Sequence, residues 1–475
     1  PSGGHVWVPW TRDPRTGSED YAFAVDGAAE VAAAAAAVRA AQARWSALGL
    51  EGRLAALRAL GEAFTAHGVA LQRALARDTG RERIAHIEVG SVHGMIASAL
   101  HHAPQVLAET PWQAAVAPGV FGRQRLVPYP LVGVIAPWNF PIVLSMIDTV
   151  PALAAGCGVI LKPSEVTPRY VEPLLEIFGR VPELAAVFRV VRGPGTTGAA
   201  LVDQVDAVVC TGSVRTGRLV AEQAARRFIP AFLELGGKDA VIITHDANIE
   251  RAATAVLRGS VLATGQACQS LERVYVDRRV QPKLVALLRA ALPDVKLTVD
   301  DPHGHIGPFI MARQAEIVRE HIADAVARGA TVEHGGRIVE RGGFWCEPTL
   351  LTGVDHTMRV MREETFGPVM PIMAFDTLDE AIALANDSDY GLSANVFAGD
   401  EDTALAIARR FDAGFVSIDD VSMSSYVADF EWEGFRYSGL GRSRMGAAGI
   451  ARYCRMQAIA VNRGPTAAIA ALTDR

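Results

Sequence analysis

The stretch 131-LVGVIAPWNFPIVLSMIDTVPALAAGCGVILKPSE-165 decides the fold of this chain. It contains two short apolar runs, Leu131–Ala136 and Gly158–Leu161, each followed by a proline-containing turn, with the apolar segment Val143–Ala155 between them. Short apolar runs bounded by turns are typical of buried strands, and the longer run between them predicts a helix. Strands that alternate with helices build a parallel sheet, and ligands bind at the carboxyl ends of its strands. Functional residues are therefore expected in the turns after the strands.

The same alternation continues toward the C-terminus in two series, which meet at Gly236–Gly237. The further predicted strands are Phe188–Val191, Ala207–Cys210, Ala240–Ile243, Arg273–Val276, Val369–Ala374 and Ser393–Phe397. The further predicted helices are Arg169–Phe178, Thr197–Gln204, Arg215–Arg227, Ile249–Leu262 and Val280–Ala291. Two such series predict an α/β protein with two doubly wound parallel-sheet domains.

The segments before Leu131 have a different pattern of apolar residues. Asp26–Gly68 has the periodicity of two helices joined near Gly49–Gly52, and Val69–Leu107 predicts a third helix. Phe121–Val127 alternates polar and apolar residues, which predicts an exposed strand of a small hairpin.

Composition excludes several classes of protein. The 475 residues, half of them hydrophobic, are too many for one core and predict two or three domains. The net charge is −6 and the basic residues are scattered, so no nucleic-acid partner is expected. No apolar stretch reaches the ~20 residues of a membrane span, and Pro1–Trp10 lacks a secretory pattern, so a cytoplasmic protein without a membrane partner is expected. Five dispersed cysteines indicate reduced thiols, and no metal-ligand spacing occurs, so no metal is expected.

Three turns after predicted strands carry unusual residues, and each has two interpretations. Asn139 either caps the following helix or donates its amide hydrogen to a developing oxyanion, and the local sequence favours the cap. Lys162 and Glu165 are either exposed charges or ligands of ribose hydroxyls. Thr211–Ser213 is either a plain tight turn or, at a helix start, a pyrophosphate site. No G-x-G-x-x-G follows an early strand, so the usual dinucleotide fingerprint is absent.

Two further segments carry a carboxylate and a thiol. Glu234 lies in the apolar context Phe232–Leu235, which raises a carboxyl pKa and suits a general base, although an exposed edge-strand glutamate has the same local pattern. Cys268 lies in the polar turn Gly265–Ser270 and is placed like a reactive thiol. The other four cysteines lie in or beside apolar runs and are interpreted as structural.

Taken together and in this order, these segments resemble the aldehyde dehydrogenase superfamily. The resemblance extends from Val25 to Arg463. Its motifs are Ala136–Pro141, Leu161–Glu165, Thr211–Gly217, Leu233–Lys238, Gly265–Cys268, Glu363–Pro368 and Tyr437–Arg442.

The resemblance implies a role for each matching residue. Cys268 matches the nucleophile, Glu234 the general base and Asn139 the oxyanion donor, a role that now outweighs the helix cap. The implied cofactor contacts are Ile135, Trp138, Lys162, Ser164, Glu165, Gly195, Gly212, Ser213, Leu235, Glu364 and Phe366. The implied substrate-lining residues are Phe140, Val143, Ile147, Gln269, Tyr426 and Trp432.

The implied reaction is the NAD(P)-dependent oxidation of a small-molecule aldehyde to the acid, through a thiohemiacetal and a thioester on Cys268. The largely apolar lining suggests a hydrophobic or aromatic aldehyde. Glu234 favours release of the acyl group to water, because members that transfer it to coenzyme A typically lack this glutamate. Glu165 repels a 2′-phosphate, so NAD is expected, with NADP possible. The alternatives are a cofactor-independent esterase-type hydrolase and a non-catalytic scaffold.

The resemblance also divides the chain. It implies a Rossmann-like NAD-binding domain at 1–108 and 129–236, a catalytic domain at 237–445, an oligomerisation element at 109–128 and 446–463, and a tail at 464–475. The strand-like Phe121–Val127 and Gln457–Val461 resemble the family's oligomerisation hairpin, and an exposed strand edge tends to find a partner. A homodimer or homotetramer is therefore expected.

Two positions depart from the common pattern of the family. Asp148 stands where many members carry a lysine, and Ser443 stands where many carry a glutamate. Those two residues are thought to relay protons around the general base. Their replacement puts that relay in doubt here.

Overall fold

The computed structural model describes residues 10–466 and 468–469. Residues 1–9 of the expected NAD-binding domain, and residues 467 and 470–475 of the expected tail, lie outside the described residues. None of the helices in the described part of the chain is long and apolar enough to cross a membrane.

The strands are β1 (Trp10–Arg12), β2 (Glu19–Ala22), β3 (Gln113–Ala114), β4 (Val120–Pro128), β5 (Leu131–Ile135), β6 (Gly158–Lys162), β7 (Phe188–Val190), β8 (Ala207–Thr211), β9 (Ala231–Glu234), β10 (Asp239–Ile243), β11 (Leu271–Asp277), β12 (Thr331–His334), β13 (Ile338–Arg341), β14 (Gly343–Cys346), β15 (Thr349–Thr352), β16 (Val369–Phe375), β17 (Tyr390–Gly391), β18 (Ser393–Phe397), β19 (Phe415–Ile418), β20 (Phe435–Arg436), β21 (Gly439–Leu440) and β22 (Cys454–Asn462). The helices are α1 (Ala28–Ala47), α2 (Gly49–Thr79), α3 (Glu82–Val106), α4 (Pro141–Ala155), α5 (Val171–Gly179), α6 (Pro182–Val187), α7 (Gly195–Val202), α8 (Val214–Arg227), α9 (Ile249–Val261), α10 (Gln281–Ala291), α11 (Ala312–Ala327), α12 (Arg359–Arg362), α13 (Leu378–Asn386), α14 (Glu401–Ala408) and α15 (Gly446–Ala451).

The first series of strands forms a six-stranded sheet in the order β21-β9-β8-β5-β6-β7. Every neighbouring pair is parallel except β21 with β9. Alternate residues of β5 face opposite layers, because side chains alternate along a strand. Val132 and Val134 pack in a core with α2 to α5, whereas Leu131 and Ile135 pack in a core with α1, α7 and α8. Helices therefore cover both faces of this sheet.

The second series forms a seven-stranded sheet in the order β12-β15-β16-β11-β10-β18-β19, in which only β12 with β15 is antiparallel. Val241 and Ile243 pack with α9 and α10 on one face, and Ala240 and Ile242 pack with α11, α13 and α14 on the other. The predicted α/β class with two doubly wound sheets is confirmed. Each sheet is mixed, with one antiparallel strand at an edge.

The predicted hairpin is a three-stranded antiparallel sheet in the order β22-β4-β3. β4 pairs along its whole length with β22, from Val120 opposite Asn462 to Pro128 opposite Cys454. The strand expected at Gln457–Val461 is therefore longer than the sequence indicated. β3 adds only two residues on the other side.

The break expected after Gly68 was wrong. α2 continues through Gly68 to Thr79 and ends at Gly80, whose φ of 68° is left-handed. A Cβ at Gly68 would lie 3.0 Å from Val89 Cγ1 of α3, so this glycine permits close packing of two helices.

Candidate active site

The predicted functional residues lie between the carboxyl ends of strands in the six-stranded sheet and the first residues of strands in the seven-stranded sheet. The adjacent strands of the six-stranded sheet end at Ile135, Lys162, Thr211 and Glu234. In the seven-stranded sheet, β10 and β11 begin with the paired residues Asp239 and Leu271, just after the Cys268 turn. Hydrogen bonds cross between the two sides: Asn139 Nδ2 donates to the carbonyl of Gln266 at 3.1 Å, and Gly237 N donates to Glu364 Oε1 at 3.0 Å.

The turn before Cys268 has a strained backbone. Ala263, Thr264 and Gly265 have φ values of 55°, 64° and 69°. A non-glycine residue in this region costs about 1–3 kcal/mol and persists only where its surroundings enforce it. Arg81 Nη1 donates to the Ala263 carbonyl at 3.3 Å, and Thr264 Oγ1 donates to the Gly307 carbonyl at 3.0 Å. These two bonds hold the turn in its strained form.

The same turn packs tightly against its neighbours. A Cβ at Gly265 would lie 2.3 Å from the carbonyl carbon of Gly367. The buried Gln266 donates from Nε2 to the Pro308 carbonyl at 3.3 Å and accepts at Oε1 from Ile310 N at 3.0 Å. The position of Cys268 is therefore fixed relative to the loop 364–368.

Cys268 is half-buried beside Gly237, where a Cβ would approach the Cys268 carbonyl oxygen to 2.3 Å. Burial raises the pKa of the Cys268 thiol to about 12, and the nearby carboxylates Asp239, Glu364 and Glu234 raise it further while Arg444 opposes them. The sequence predicted a reactive thiol, yet in this environment the thiol is protonated at neutral pH. A base is needed before it can act as a nucleophile.

Glu234 ends β9 and pairs with Thr211 on one side and Gly439 on the other. Burial raises the pKa of its carboxyl group, while the positive charges of Arg444 and Arg452 lower it. Arg444 Nε lies 3.6 Å from Glu234 Oε1. The carboxyl group is thus largely buried and faces a guanidinium, an arrangement that favours its ionised form.

Asn139 does not cap α4. Phe140 is the N-cap residue, and its side chain makes no capping bond. The capping groups belong to Glu88 of α3, whose Oε2 accepts from Ile142 N at 3.0 Å and Val143 N at 3.3 Å. The Asn139 amide is thereby left free to point at the Cys268 turn.

The expected cofactor residues of the six-stranded sheet lie along its carboxyl edge. Lys162 Nζ forms an ion pair with Glu165 Oε2 at 3.0 Å, and Ser164 Oγ accepts from Val166 N, so both stabilise the turn after β6. Ser213 is the N-cap of α8, whose first turn holds no acidic residue. Gly195 and Gly212 each have open space where a Cβ would stand. Leu235 packs instead against Gly217 of α8, where a Cβ would be 2.6 Å from its methyl groups.

Glu364 and Phe366 lie on a loop that the seven-stranded sheet holds in place. Phe366 has a left-handed φ of 52° and contacts Trp138 edge-on, with 5.5 Å between ring centroids. Glu272 accepts from the backbone N–H groups of Thr365 and Phe366, both at 2.7 Å, and forms a buried ion pair with Lys238 at 2.6 Å. Burial raises the pKa of Glu364 to about 8.

The expected lining residues form two groups. Phe140, Val143 and Ile147 are half-buried at the spacing of one helix face, and Leu144, which the sequence analysis did not single out, lies on the same face. Gln269 accepts from Ser424 Oγ, and its carbonyl accepts from Ser422 Oγ at 3.0 Å, which ties the Cys268 turn to the segment 419–426. Trp432 contacts Phe415 edge-on at 5.8 Å, whereas the Tyr426 side chain is 76% exposed.

Comparison with known proteins identifies the family. The sequence profile of the aldehyde dehydrogenase family matches residues 10–459. The chain belongs to the aldehyde dehydrogenase family.

Individual relatives agree with this membership. The chain is 37% identical over 460 residues to a putative succinate-semialdehyde dehydrogenase [NADP(+)] of Mycolicibacterium smegmatis, covering 94% of this chain and 87% of the relative. It is 40% identical over 337 residues to a 4,4′-diapolycopene aldehyde oxidase of Methylomonas sp., covering 71% of this chain and 63% of the relative. The chain therefore covers less than two thirds of that second relative.

Solved structures agree equally well. The putative aldehyde dehydrogenase PutA from Anabaena variabilis is 47% identical, with a TM-score of 0.95 over 97% of this chain and 99% of that one. Betaine aldehyde dehydrogenase from Staphylococcus aureus in complex with NAD+ is 30% identical, with a TM-score of 0.91 over 97% and 93% of the two chains. Relatives of this chain are thus named for several different aldehydes.

The two departures from the family pattern take clear positions in the fold. Ser443 Oγ accepts from Trp432 N at 3.1 Å and Met445 N at 3.2 Å, so it stabilises the backbone of its own segment. The charged group of this segment that faces Glu234 is the guanidinium of the neighbouring Arg444. Asp148 is fully buried in α4 and forms an ion pair with Arg452.

Four further residues of the site could not be identified from the sequence: Arg81, Glu88, Glu272 and Arg444. Glu272 alone had a local signal, because it is a charged residue within the apolar strand Leu271–Val276. Arg81 and Glu88 lie in or beside helices with many charges, and their buried contacts reach residues of other elements. Only the folded arrangement reveals these roles.

Proposed function

We propose that this protein oxidises an apolar or aromatic aldehyde to the carboxylic acid, with NAD as the hydride acceptor. The observation that carries the proposal is the convergence of Cys268, Glu234 and Asn139 at the meeting of two sheet edges, with the thiol on a turn that is held under strain. Family membership adds that the chemistry is that of aldehydes.

The residues at the carboxyl edge fit a nicotinamide dinucleotide. The N-terminus of α8, with no acidic residue in its first turn, offers free N–H groups to a pyrophosphate, and open space beside Gly195 and Gly212 admits it. Lys162 and Glu165 would hold ribose hydroxyls, and Glu364 would hold the second ribose beside Phe366. Bound NAD supplies the acceptor for the hydride that leaves the substrate carbon. The carboxylate of Glu165 would repel a 2′-phosphate, which favours NAD over NADP.

Cys268 begins the reaction. Glu234, in its ionised form, takes the thiol proton, directly or through water, and Cys268 Sγ forms a bond to the aldehyde carbon. The π electrons of the carbonyl move onto oxygen, where the Asn139 amide and the Cys268 N–H donate hydrogen bonds. Loss of one such donor typically costs on the order of 10²–10³ in rate. Departure of hydride from carbon leaves a thioester on Cys268.

Glu234 completes the reaction. After passing the proton of Cys268 to solvent, it takes a proton from water as the water oxygen bonds to the thioester carbon, and collapse of this adduct breaks the C–S bond. The products are the carboxylic acid and the Cys268 thiolate. The presence of Glu234 supports water rather than a thiol as the acceptor, because an ionised carboxylate can act as the base that activates water.

The substrate class follows from the lining of α4. Phe140, Val143, Leu144 and Ile147 present an apolar face, and the guanidinium of Arg81 lies over the Phe140 ring and donates to the Asn139 carbonyl. We expect kcat/KM for an aromatic aldehyde to exceed that for succinate semialdehyde. The reverse order would contradict this assignment, and the comparison leaves the oxidation itself untouched.

The proposed reaction is tested by following NADH absorbance with an aldehyde panel. The wild-type protein should turn over with NAD, and Cys268→Ala should abolish turnover. Cys346→Ala, which changes a buried cysteine of β14, is the matched control and should keep the activity. Full activity of Cys268→Ala, or no NADH with any aldehyde, would refute the proposal.

A further inference from the structure

Arg444 connects the proposed base to the buried charge of α4. Its side chain is almost fully buried, and Nη2 donates to Thr211 Oγ1 at 2.6 Å. Nε lies 3.6 Å from Glu234 Oε1, and Nη2 lies 3.5 Å from Asp148 Oδ2. One guanidinium thus faces three groups from three elements: β8, β9 and α4.

Asp148 anchors this arrangement from the opposite side. Its Oδ1 accepts from Arg452, which is buried, and from Tyr453 Oη at 3.1 Å. Arg452 Nη1 donates to the Arg442 carbonyl at 3.2 Å, so the segment that carries Arg444 is fastened to the same cluster. The cluster alternates in charge: Glu234, Arg444, Asp148, Arg452.

Compared with the common pattern of the family, the positive and negative charges near Glu234 have exchanged places. A lysine is common in the family at the position of Asp148, and a glutamate is common at the position of Ser443. This chain has an anion on α4 and a cation one residue after Ser443. The cation therefore stands on the segment after β21, next to Glu234, and the anion stands behind it.

The buried polar atoms indicate that Arg444 is directed at Glu234. Nε of Arg444 is buried and makes no hydrogen bond within the described residues, and Oδ2 of Asp148 is in the same state. A buried polar group without a partner is destabilising, so a small closure that brings Nε onto the Glu234 carboxylate is favourable. A negative charge on Glu234 strengthens that contact, and a neutral carboxyl weakens it.

We propose that Arg444 is a positioning residue that holds Glu234 in place and sets the pH range over which Glu234 accepts a proton, with Asp148 as the anchor of Arg444. This inference rests on the proposed role of Glu234 as the general base. In this interpretation Arg444 and Asp148 take the place of the lysine and the glutamate that many members of the family carry at positions 148 and 443.

Among the other charged groups around Glu234, Arg452 also lowers its pKa, but less than Arg444 does. Arg452 is engaged by Asp148, and Glu433 adds a negative charge from the segment before β20. From β8, Cys210 has a pKa raised by burial to about 12 and stays neutral. Cys268 is neutral until it gives up its proton, and Arg218 of α8 lies over the Tyr437 ring. Tyr453, with its pKa raised by burial, is also neutral.

The sign of the pH effect follows from these charges. Burial raises the pKa of Glu234 and Arg444 lowers it, so loss of Arg444 raises the pKa further. Glu234 accepts a proton only above its pKa, so the acidic limb of the pH profile of kcat should move to higher pH in Arg444→Met. At neutral pH kcat should fall on the order of 100-fold, because the base is both displaced and protonated.

The test measures kcat with NAD and an aldehyde from pH about 5.5 to 9.5 for wild type, Arg444→Met and Arg444→Lys. Arg444→Lys keeps the charge, so its acidic limb should lie closer to that of wild type. Arg409→Met, an exposed arginine at the end of α14, is the matched control and should leave the profile unchanged. A profile of Arg444→Met that is lower at every pH with an unmoved acidic limb would overturn the proposal, since a merely structural role acts in that way.

Thr211→Val decides the question if Arg444→Met does not fold. It removes the hydrogen bond that orients Arg444 and keeps every charge. The acidic limb should again move to higher pH, by less than in Arg444→Met, and an unmoved limb would overturn the proposal. Failure of the proposed function itself gives a different result, because the wild-type protein would then form no NADH.

Discussion

At the scale of single residues, Cys268 meets two opposing requirements. It is half-buried where the two sheets meet, which leaves the residue partly accessible to a substrate. The same burial, with three carboxylates nearby, raises the pKa of the thiol to about 12. In the proposed reaction the thiolate is therefore made at the moment of attack, with Glu234 as the proton acceptor.

The pKa of Cys268 predicts slow alkylation. A thiol with a pKa of about 12 instead of 9.0 has about 10³-fold less thiolate at neutral pH, and this fraction rises tenfold per pH unit below the pKa. Iodoacetamide should therefore modify Cys268 far more slowly than free cysteine at neutral pH, with a rate that still climbs at pH about 10. Peptide mass spectrometry separates Cys268 from the other thiols. A rate that levels off near neutral pH would contradict the stated environment.

At the scale of elements, the Cys268 turn is held by packing rather than by its own sequence. Ala263, Thr264 and Gly265 adopt left-handed backbone because Arg81, Gly307 and the loop 364–368 enforce it. Cys268 is thereby placed on a rigid support. Its accuracy depends on contacts from residues distant in sequence.

Gly265→Ala tests the contribution of this turn. The new Cβ would meet the carbonyl carbon of Gly367 at 2.3 Å, so the turn has to move and kcat should fall by on the order of 100-fold. Gly49→Ala is the matched control, because its φ of 71° is nearly the same but no atom lies within 4 Å of the new Cβ. It should carry the backbone cost alone, about 1–2 kcal/mol of stability, with kcat unchanged. Equal kcat for the two variants would show that the packing of Gly265 is unimportant.

Elements formed from local patterns were predicted well, and elements that depend on distant contacts were not. β5, α4 and β6 follow from apolar runs and turns in one stretch of sequence. The residues around Glu234 do not, because Arg452 and Asp148 are 304 positions apart and only the fold brings them together. Glu88 as the cap of α4 was missed for the same reason, and the sequence favoured Asn139 until the family resemblance was considered.

At the scale of the whole molecule, the three-stranded sheet is separate from the two doubly wound sheets. β22 lies at its edge, and Met456 on that strand is 62% exposed. Strand edges of this kind tend to pair with another chain. The expected domain division places this sheet in an oligomerisation element, which stays a prediction.

We expect the protein to form a homodimer or homotetramer through the sheet β22-β4-β3. Light scattering after size-exclusion chromatography should give two or four times the mass of one chain at micromolar concentration. Ala458→Pro in β22 removes a backbone N–H from this strand and should shift the distribution toward monomer. A monomeric wild-type protein would contradict the expectation.

The most direct test of the central claim is mass spectrometry of the covalent intermediate. Glu234→Gln is mixed with NAD and an aromatic aldehyde, and the peptide that contains Cys268 is analysed. Because the base for deacylation is absent, while the thiol still ionises without Glu234 as the pH rises, we predict that at pH about 9.5 an acyl adduct forms on Cys268 more slowly than in the wild type, together with at most one equivalent of NADH per active site. Continued turnover of Glu234→Gln at the wild-type rate with no adduct on Cys268 would contradict the account.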